Sequence, residues 1–246
     1  MHKETSNVPA IKKIIRGIKG IPVVGATASK LARLPVFSPA RRLAFPGSAE
    51  FWEARYREGG TSGKGSYGKL AEFKAEILND FVRAKHIGSV IELGCGDGAQ
   101  LSLAEYPEYV GVDVSEISVQ RCRTLFANDQ TKRFYLKSAL PAGLKTFDLA
   151  ISLDVIYHLV EDDVFDAHMR ELFSRSGRHV VIYASNYDEK MTEGAHVRHR
   201  KFTKWVADNA KGWNASQVIA NRYPFDASRP EETSFADFHF FERQPL

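Results

Sequence analysis

The sequence predicts one α/β domain: a doubly wound, mostly parallel sheet of seven strands, with a C-terminal antiparallel hairpin and an N-terminal helical cap. Strand and helix patterns alternate from residue 89 to residue 173, which is the order of a parallel sheet with crossover helices. A glycine-rich turn follows the first strand pattern. The last two strand patterns follow a helix near residues 203–210 and are typical of a terminal hairpin.

Length and composition agree with a folded domain of this class. The chain has 246 residues, and 43% of them are hydrophobic, so it can bury a core and is not a disordered protein. No run approaches the roughly 18 apolar residues of a membrane-spanning helix. The two cysteines, Cys95 and Cys122, lack the spacing of a zinc site. We therefore expect a cytoplasmic protein with no bound metal.

Residues 1–47 are predicted to be a basic N-terminal extension. Residues 1–42 hold nine Lys and Arg side chains but one acid, Glu4, so the rest of the chain is mildly acidic. Isoleucines at 11, 14, 15 and 18 have helical spacing, which suits an amphipathic anchor to an anionic membrane surface or to a partner enzyme. The alternative is a solvated extension. Because the main domain is not basic, no nucleic-acid partner is expected.

The helical cap is predicted at residues 48–86. Ser48 begins a helix with Phe51, Trp52 and Tyr56 on one face, and Ser66 is the expected cap of a second helix that ends near residue 85. Strands are predicted at residues 89–93, 109–113, 133–136, 147–153, 179–183, 213–220 and 235–242, and helices at 99–104, 116–127, 162–173 and 203–210.

The run from Val90 to Gly98 is the most informative motif, a buried strand that enters a G-x-G-x-G turn. A dinucleotide loop places its third glycine one residue later, where it wraps a pyrophosphate. This turn therefore suits a ligand without pyrophosphate. A second strand ends at Asp113, at the distance from the glycines where such a fold presents a carboxylate to two ribose hydroxyls.

Together these residues resemble the class I S-adenosylmethionine-dependent methyltransferases, a Rossmann-like family, and the resemblance runs from about Ser48 to the C-terminus (48–246). It implies S-adenosyl-L-methionine as cofactor, with Asp113 on the ribose and Leu153 to Val155 beside the acceptor. The cofactor-binding residues expected from it are Glu92, Gly94, Cys95, Gly96, Gly98, Asp113, Val114, Leu153, Asp154 and Val155. Where many members place an acid for the adenine amino group, this chain has Lys137-Ser138-Ala139-Leu140. The adenine contact then falls to Ser138, to a backbone group, or to neither.

The acceptor is expected beyond the carboxyl ends of the strands. A hydroxyl acceptor needs a general base, and His158 is the best-placed imidazole, with Asp154 four residues earlier as its orienting partner. His196 and His199 are the reserve candidates, and a structural role for His158 is the alternative. Expected acceptor-binding residues are Tyr67, Tyr157, His196, Arg198 and His199.

Residues 45–53 and 63–68 resemble, less specifically, bacterial methyltransferases that accompany glycosyltransferases in surface-polysaccharide assembly. This implies an O-methyltransferase for a sugar hydroxyl of a glycan or glycolipid, with the basic leader near the inner membrane or a glycosyltransferase. The alternatives are a small-molecule O- or N-methyltransferase of secondary metabolism and a non-catalytic scaffold that binds the cofactor.

Overall fold

A computed structural model of the protein describes residues 45–188 and 194–244. Nearly all of the predicted basic extension lies outside these residues. The helices are α1 (Ser48–Arg57), α2 (Gly68–Ala84), α3 (Glu116–Leu125), α4 (Asp162–Ser174) and α5 (Phe202–Asn209). The strands are β1 (Ser89–Leu93), β2 (Glu108–Asp113), β3 (Lys132–Leu136), β4 (Phe147–Leu153), β5 (Ser176–Ala184), β6 (Trp213–Ile219) and β7 (Asp237–Arg243).

The seven strands form one sheet in the order β3-β2-β1-β4-β5-β7-β6. Strands β1 to β5 are parallel, whereas β7 is antiparallel to both β5 and β6. The doubly wound sheet with a C-terminal antiparallel pair is therefore confirmed. The last strand, β7, lies between β5 and β6, so β6 forms the edge.

Two apolar clusters cover the two faces of the sheet. One contains Phe73 and Leu78 of α2 with Leu149 and Ile151 of β4. The other includes Ala150 of β4 and the apolar side of α4. Successive residues of a strand point to opposite faces, which explains why β4, covered on both sides, is apolar almost throughout.

Two local predictions are wrong. Residues 99–104 do not form an α-helix, because only a 3₁₀ turn (Leu101–Leu103) lies between the glycine turn and β2, and this segment is too short for a cooperative helix. Ser66 does not cap α2 either. It ends a separate 3₁₀ turn (Lys64–Ser66), and α2 begins at Gly68.

The connection from β3 to β4 crosses beneath β2 and β1 with ten residues. By the strand register, Leu136 and Phe147 are separated by six residues along the strand direction and by three strand spacings across the sheet. This separation corresponds to about 24 Å. Ten residues wound as a helix would rise about 15 Å. The segment is accordingly open chain with one 3₁₀ turn (Lys137–Ala139), and its Leu140 and Leu144 pack on the apolar cluster.

Within the described residues, no helix has both the length and the apolar character needed to cross a membrane.

Candidate active site

The glycine turn after β1 depends on its glycines for its backbone path. Gly94 and Gly96 have φ angles of 92° and 58°, a region that other residues rarely adopt. A Cβ at Gly96 would lie 2.2 Å from Ser62 Oγ. The turn therefore brings main-chain atoms, rather than side chains, to the carboxyl edge of the sheet.

The segment between α1 and α2 is fastened to this turn by a reciprocal pair of hydrogen bonds. Ser62 N donates to Asp97 Oδ2 at 2.9 Å, and Asp97 N donates to Ser62 Oγ at 2.8 Å. The hydroxyl of Tyr67 donates to the same carboxylate at 2.8 Å. This segment forms one wall of a cavity, which Ser62 and Ser66 line.

Two buried carboxylates lie at the same edge. Tyr109 OH donates to Glu92 Oε2 at 2.6 Å, and burial raises the pKa of Glu92 to about 7. Asp113 accepts from Gly96 N and Ser115 N, both at 2.9 Å, and burial raises the pKa of this carboxyl as well. Each carboxylate oxygen has two lone pairs, so Asp113 keeps acceptor capacity for a ligand while it holds the glycine turn.

A cavity of about 270 Å³ lies over these groups, between the carboxyl ends of the strands and helices α1 and α4. Ten of the predicted residues line it: Glu92, Gly94, Cys95, Gly96, Asp113, Val114, Leu153, Asp154, Val155 and His158. Gly98 is not among the lining residues. A Cβ there would contact Phe126 and Cys122, so this glycine serves the packing of the turn against α3.

Asp154, which is partly exposed, forms an ion pair with the buried Lys74, a residue of α2. Lys74 Nζ lies 2.6 Å from Asp154 Oδ2, and the Lys74 side chain is 1% exposed. The hydroxyl of Tyr157 donates to Asp154 Oδ1 at 2.9 Å. Asp154 also has a φ of 59°, which is uncommon for any residue except glycine. Backbone and side chain are thus both fixed where β4 ends.

His158 occupies the cavity wall within a group of aromatic rings. Its Nδ1 is 3.0 Å from the carbonyl oxygen of His196, so Nδ1 donates and Nε2 carries the lone pair of the neutral ring. The orienting group is this carbonyl and not Asp154, which corrects the sequence-based prediction. The ring stacks on His196 at 5.5 Å and meets Trp52 edge-on at 4.9 Å. Burial lowers the pKa of His158 to about 4.

The five predicted acceptor-binding residues surround this region, but none of them lines the cavity. The exposed Tyr67 is bound to Asp97. Tyr157 is buried and holds Asp154. The His196 ring is stacked between Phe51 and His158.

The other two of the five belong to the loop before α5, where side chains have structural partners. The buried His199 has Nδ1 2.7 Å from Ser185 Oγ. Arg198 donates to the Val160 carbonyl at 2.9 Å and pairs with Asp162 at 3.0 Å. Arg200 donates to the same carbonyl at 2.8 Å. Arg198, which was expected to bind the acceptor, and its neighbour Arg200 are thus tied to the loop after β4.

Several cavity residues escaped the sequence analysis. They include Lys74, Ser62, Gln100 and His168. For Lys74 a signal existed, because it lies four residues from both Leu70 and Leu78 on the apolar side of α2. A lysine at such a position needs a buried partner. No comparable pattern marks Gln100, whose Oε1 is buried without a hydrogen-bond partner among the described residues.

Across residues 45–188 and 194–244, no group of three or more His, Cys, Asp or Glu side chains is arranged to hold a metal ion.

Comparison with known proteins places this cavity in context. Residues 90–177, which run from β1 to the start of β5, match the family described as a methyltransferase domain. Residues 90–177 therefore carry a methyltransferase domain. Its cofactor is S-adenosyl-L-methionine.

Relatives of the methyltransferase domain are named for different acceptors. The chain is 27% identical over 169 residues to the tRNA (carboxymethyluridine(34)-5-O)-methyltransferase alkbh8 of Xenopus tropicalis, covering 66% of this chain and 25% of that protein. The chain thus spans about a quarter of the curated relative it matches. Because this relative is named for a tRNA acceptor, it weakens the expectation that nucleic acid is excluded.

Solved structures share the fold at low sequence identity. Magnesium protoporphyrin IX methyltransferase of Synechocystis PCC 6803, with bound S-adenosylhomocysteine, has a TM-score of 0.56 at 15% identity, covering 80% of this chain and 98% of that one. The methyltransferase domain of a bacterial Hen1 has a TM-score of 0.54 at 17% identity, covering 70% and 97%. These likenesses concern the fold alone.

The cavity of this methyltransferase domain fits S-adenosyl-L-methionine. The glycine turn exposes main-chain atoms, and Asp113 retains lone pairs for a ribose diol. Glu92 and Gln100 both line the cavity, and Gln100 Oε1 has no hydrogen-bond partner among the described residues. Amide oxygen and carboxylate are acceptors that suit the ammonium group of the methionine portion.

Proposed function

We propose that this chain transfers the methyl group of S-adenosyl-L-methionine to a hydroxyl group, on a sugar of a bacterial glycan or glycolipid. The observation that carries the proposal is His158, a neutral imidazole with its Nδ1 proton fixed on the His196 carbonyl. Two alternatives use the same cavity: a small-molecule O- or N-methyltransferase, and a cofactor-binding scaffold without turnover.

The proposed cofactor site runs along the carboxyl edge of the sheet. Glu92 and Gln100 bind the methionine portion, Asp113 binds the ribose, and Val114 packs on the adenine. When bound, the cofactor supplies a methyl group on a positively charged sulfur, which needs no further activation by the protein. The task left to the chain is to position the acceptor and to take up its proton.

His158 meets the requirements of a general base for a hydroxyl group. With Nδ1 donating to a carbonyl, the lone pair is on Nε2, and no described residue forms a hydrogen bond with Nε2. A pKa of about 4 keeps the ring neutral at physiological pH, so the ring is in its accepting form, as a weaker base than an imidazole of ordinary pKa. Trp52 and His196 fix the ring plane, which spares the reaction the cost of orienting it.

Aromatic side chains near His158 support a sugar as the acceptor. Trp52 and Tyr56 of α1 line the same cavity as His158, with ring centres 5.8 Å apart. Flat aromatic surfaces suit the apolar face of a sugar ring, and the adjoining hydroxyl then lies near the imidazole. Because both rings belong to α1, the cap helix would determine which acceptor enters.

The decisive experiment measures methyl transfer from labelled S-adenosyl-L-methionine by wild type and His158→Ala. Candidate acceptors are a bacterial glycan extract, small hydroxylated or amine compounds, and tRNA. For a hydroxyl acceptor, loss of the base should lower kcat by about 10² to 10⁴ while affinity for S-adenosylhomocysteine is unchanged. His179→Gln, which removes an imidazole outside the cavity, should turn over normally.

Each other outcome has its own meaning. Wild-type turnover by His158→Ala would refute the role of His158, and transfer to tRNA or to small amines instead of glycan would refute the sugar. Cofactor binding with no transfer to any acceptor class would favour the scaffold.

A further inference from the structure

The end of the cavity that would hold the cofactor's adenine can be located from the strand register. Asp113 at the end of β2 pairs with Leu136 at the end of β3. Val114 and Lys137 directly follow these two neighbouring strands and therefore lie side by side. Both line the cavity. With a ribose on Asp113, the attached base lies at this end, where the chain has Lys137 and Ser138 instead of the acid common in the family.

Neither of these two residues supplies a free acceptor. Ser138 is not among the residues that line the cavity, and the Lys137 ammonium is paired with Glu171. Because an ammonium group can only donate hydrogen bonds, Lys137 cannot bind an amino group. The acceptor for the adenine amino proton must come from another element.

Helix α4 closes this end with His168. The side chain is 8% exposed, lines the cavity, and has Nε2 3.0 Å from Ser152 Oγ. No described residue forms a hydrogen bond with Nδ1. A buried imidazole in a cavity wall, with one nitrogen bonded and no described partner for the other, lacks a partner that a ligand can provide.

Apolar side chains beside His168 complete a slot for a flat ring. Val114 and Val164 are 42% and 39% exposed, unusual for large apolar side chains that line a cavity, and Ala167 adds a third apolar surface. Aliphatic groups of this kind pack against the faces of an aromatic base, while a polar group at the edge gives specificity.

We propose that His168 Nδ1 accepts the 6-amino proton of the cofactor's adenine, in place of the missing acid after β3. In this arrangement Nε2–H donates to Ser152 Oγ and leaves the lone pair on Nδ1. Burial and the nearby Lys137 charge lower the pKa of His168 to about 3, so the ring remains an acceptor at physiological pH. The proposal rests on S-adenosyl-L-methionine as the cofactor and is independent of the acceptor.

The test compares two ligands by calorimetry: S-adenosylhomocysteine and its analogue in which purine, lacking the 6-amino group, replaces adenine. Wild type should bind the analogue at least about fivefold more weakly, the equivalent of one lost hydrogen bond of about 1 kcal/mol. His168→Leu should bind both ligands equally. His168→Asn, whose amide oxygen can take the place of Nδ1, should retain a preference for adenine. Ser138→Ala should keep the wild-type ratio.

The outcomes separate this inference from the cofactor assignment. An unchanged ratio in His168→Leu, or a lost ratio in Ser138→Ala, overturns the role of His168. If His168→Leu does not fold, Ser152→Ala serves instead, because loss of the Nε2 partner should reduce the ratio, and an unchanged ratio there also overturns the role. Failure of wild type to bind S-adenosylhomocysteine would refute the cofactor itself.

Discussion

Replacing Glu92 by Gln is expected to stabilise the folded protein and to lower its affinity for the cofactor. Burial raises the pKa of Glu92 from 4.5 to about 7, so the folded protein favours the protonated carboxyl. The stability that this protonated group contributes is complete below pH 4.5 and is lost as the pH rises through 7. At about 1.36 kcal/mol per pKa unit, ionisation costs about 3 kcal/mol at pH 8 and about half as much at pH 5.5. A permanently neutral Gln avoids this cost.

Urea unfolding of both proteins at pH 8 and pH 5.5 measures the difference. The variant should be more stable at pH 8 by up to about 3 kcal/mol, and the gap should shrink by about half at pH 5.5. Since the cofactor carries positive charge, wild-type affinity should rise with pH towards 7, and Glu92→Gln should lack that rise. The reasoning would be refuted if the variant were less stable than wild type at pH 8, or if the difference in stability were larger at pH 5.5. Either result would show that ionised Glu92 carries no desolvation cost in the folded protein.

Two further predictions concern the other buried charges. Asp113→Asn should weaken S-adenosylhomocysteine binding at least about tenfold, because charge-assisted hydrogen bonds to the ribose are lost. Calorimetry checks this, with Asp129→Asn, a carboxylate outside the cavity, as the control. Unchanged affinity would show that Asp113 does not bind the ribose. Lys74→Met should cost about 3 to 5 kcal/mol by leaving the Asp154 carboxylate uncompensated, whereas Lys69→Met, which breaks the exposed pair with Glu232, should cost less than about 1 kcal/mol. Equal losses in urea unfolding would show that the Lys74 pair is no stronger than a surface pair.

The parallel sheet with its terminal hairpin and the glycine turn could be predicted from the sequence, because strand, turn and acid are encoded within short segments. Gly94 and Gly96 follow β1, and Asp113 ends β2. All three line the cavity, as predicted. Lys74 and Asp154 are separated by 80 residues, so their pairing depends on tertiary packing that no local pattern contains.

The same limit applies to the orientation of side chains. The four-residue spacing of Asp154 and His158 suggested one helical face, but Ile156–His158 is a 3₁₀ turn, and His158 Nδ1 bonds to the His196 carbonyl instead. Likewise, a run of cations before α5 looks the same in sequence whether it faces solvent or binds carbonyl oxygens. Arg198 and Arg200 do the latter, and only the packed loop after β4 reveals it.

The ten-residue crossing from β3 to β4 has a consequence for engineering the chain. It spans about 24 Å and must also clear the side chains beneath the sheet, so it has little slack to lose. Deleting three residues would strain the crossing, whereas added residues cost little, since doubling a loop's length costs only about 0.6 kcal/mol. The crossing is therefore a tolerant place to insert a reporter tag or an epitope, and a poor place to shorten the protein.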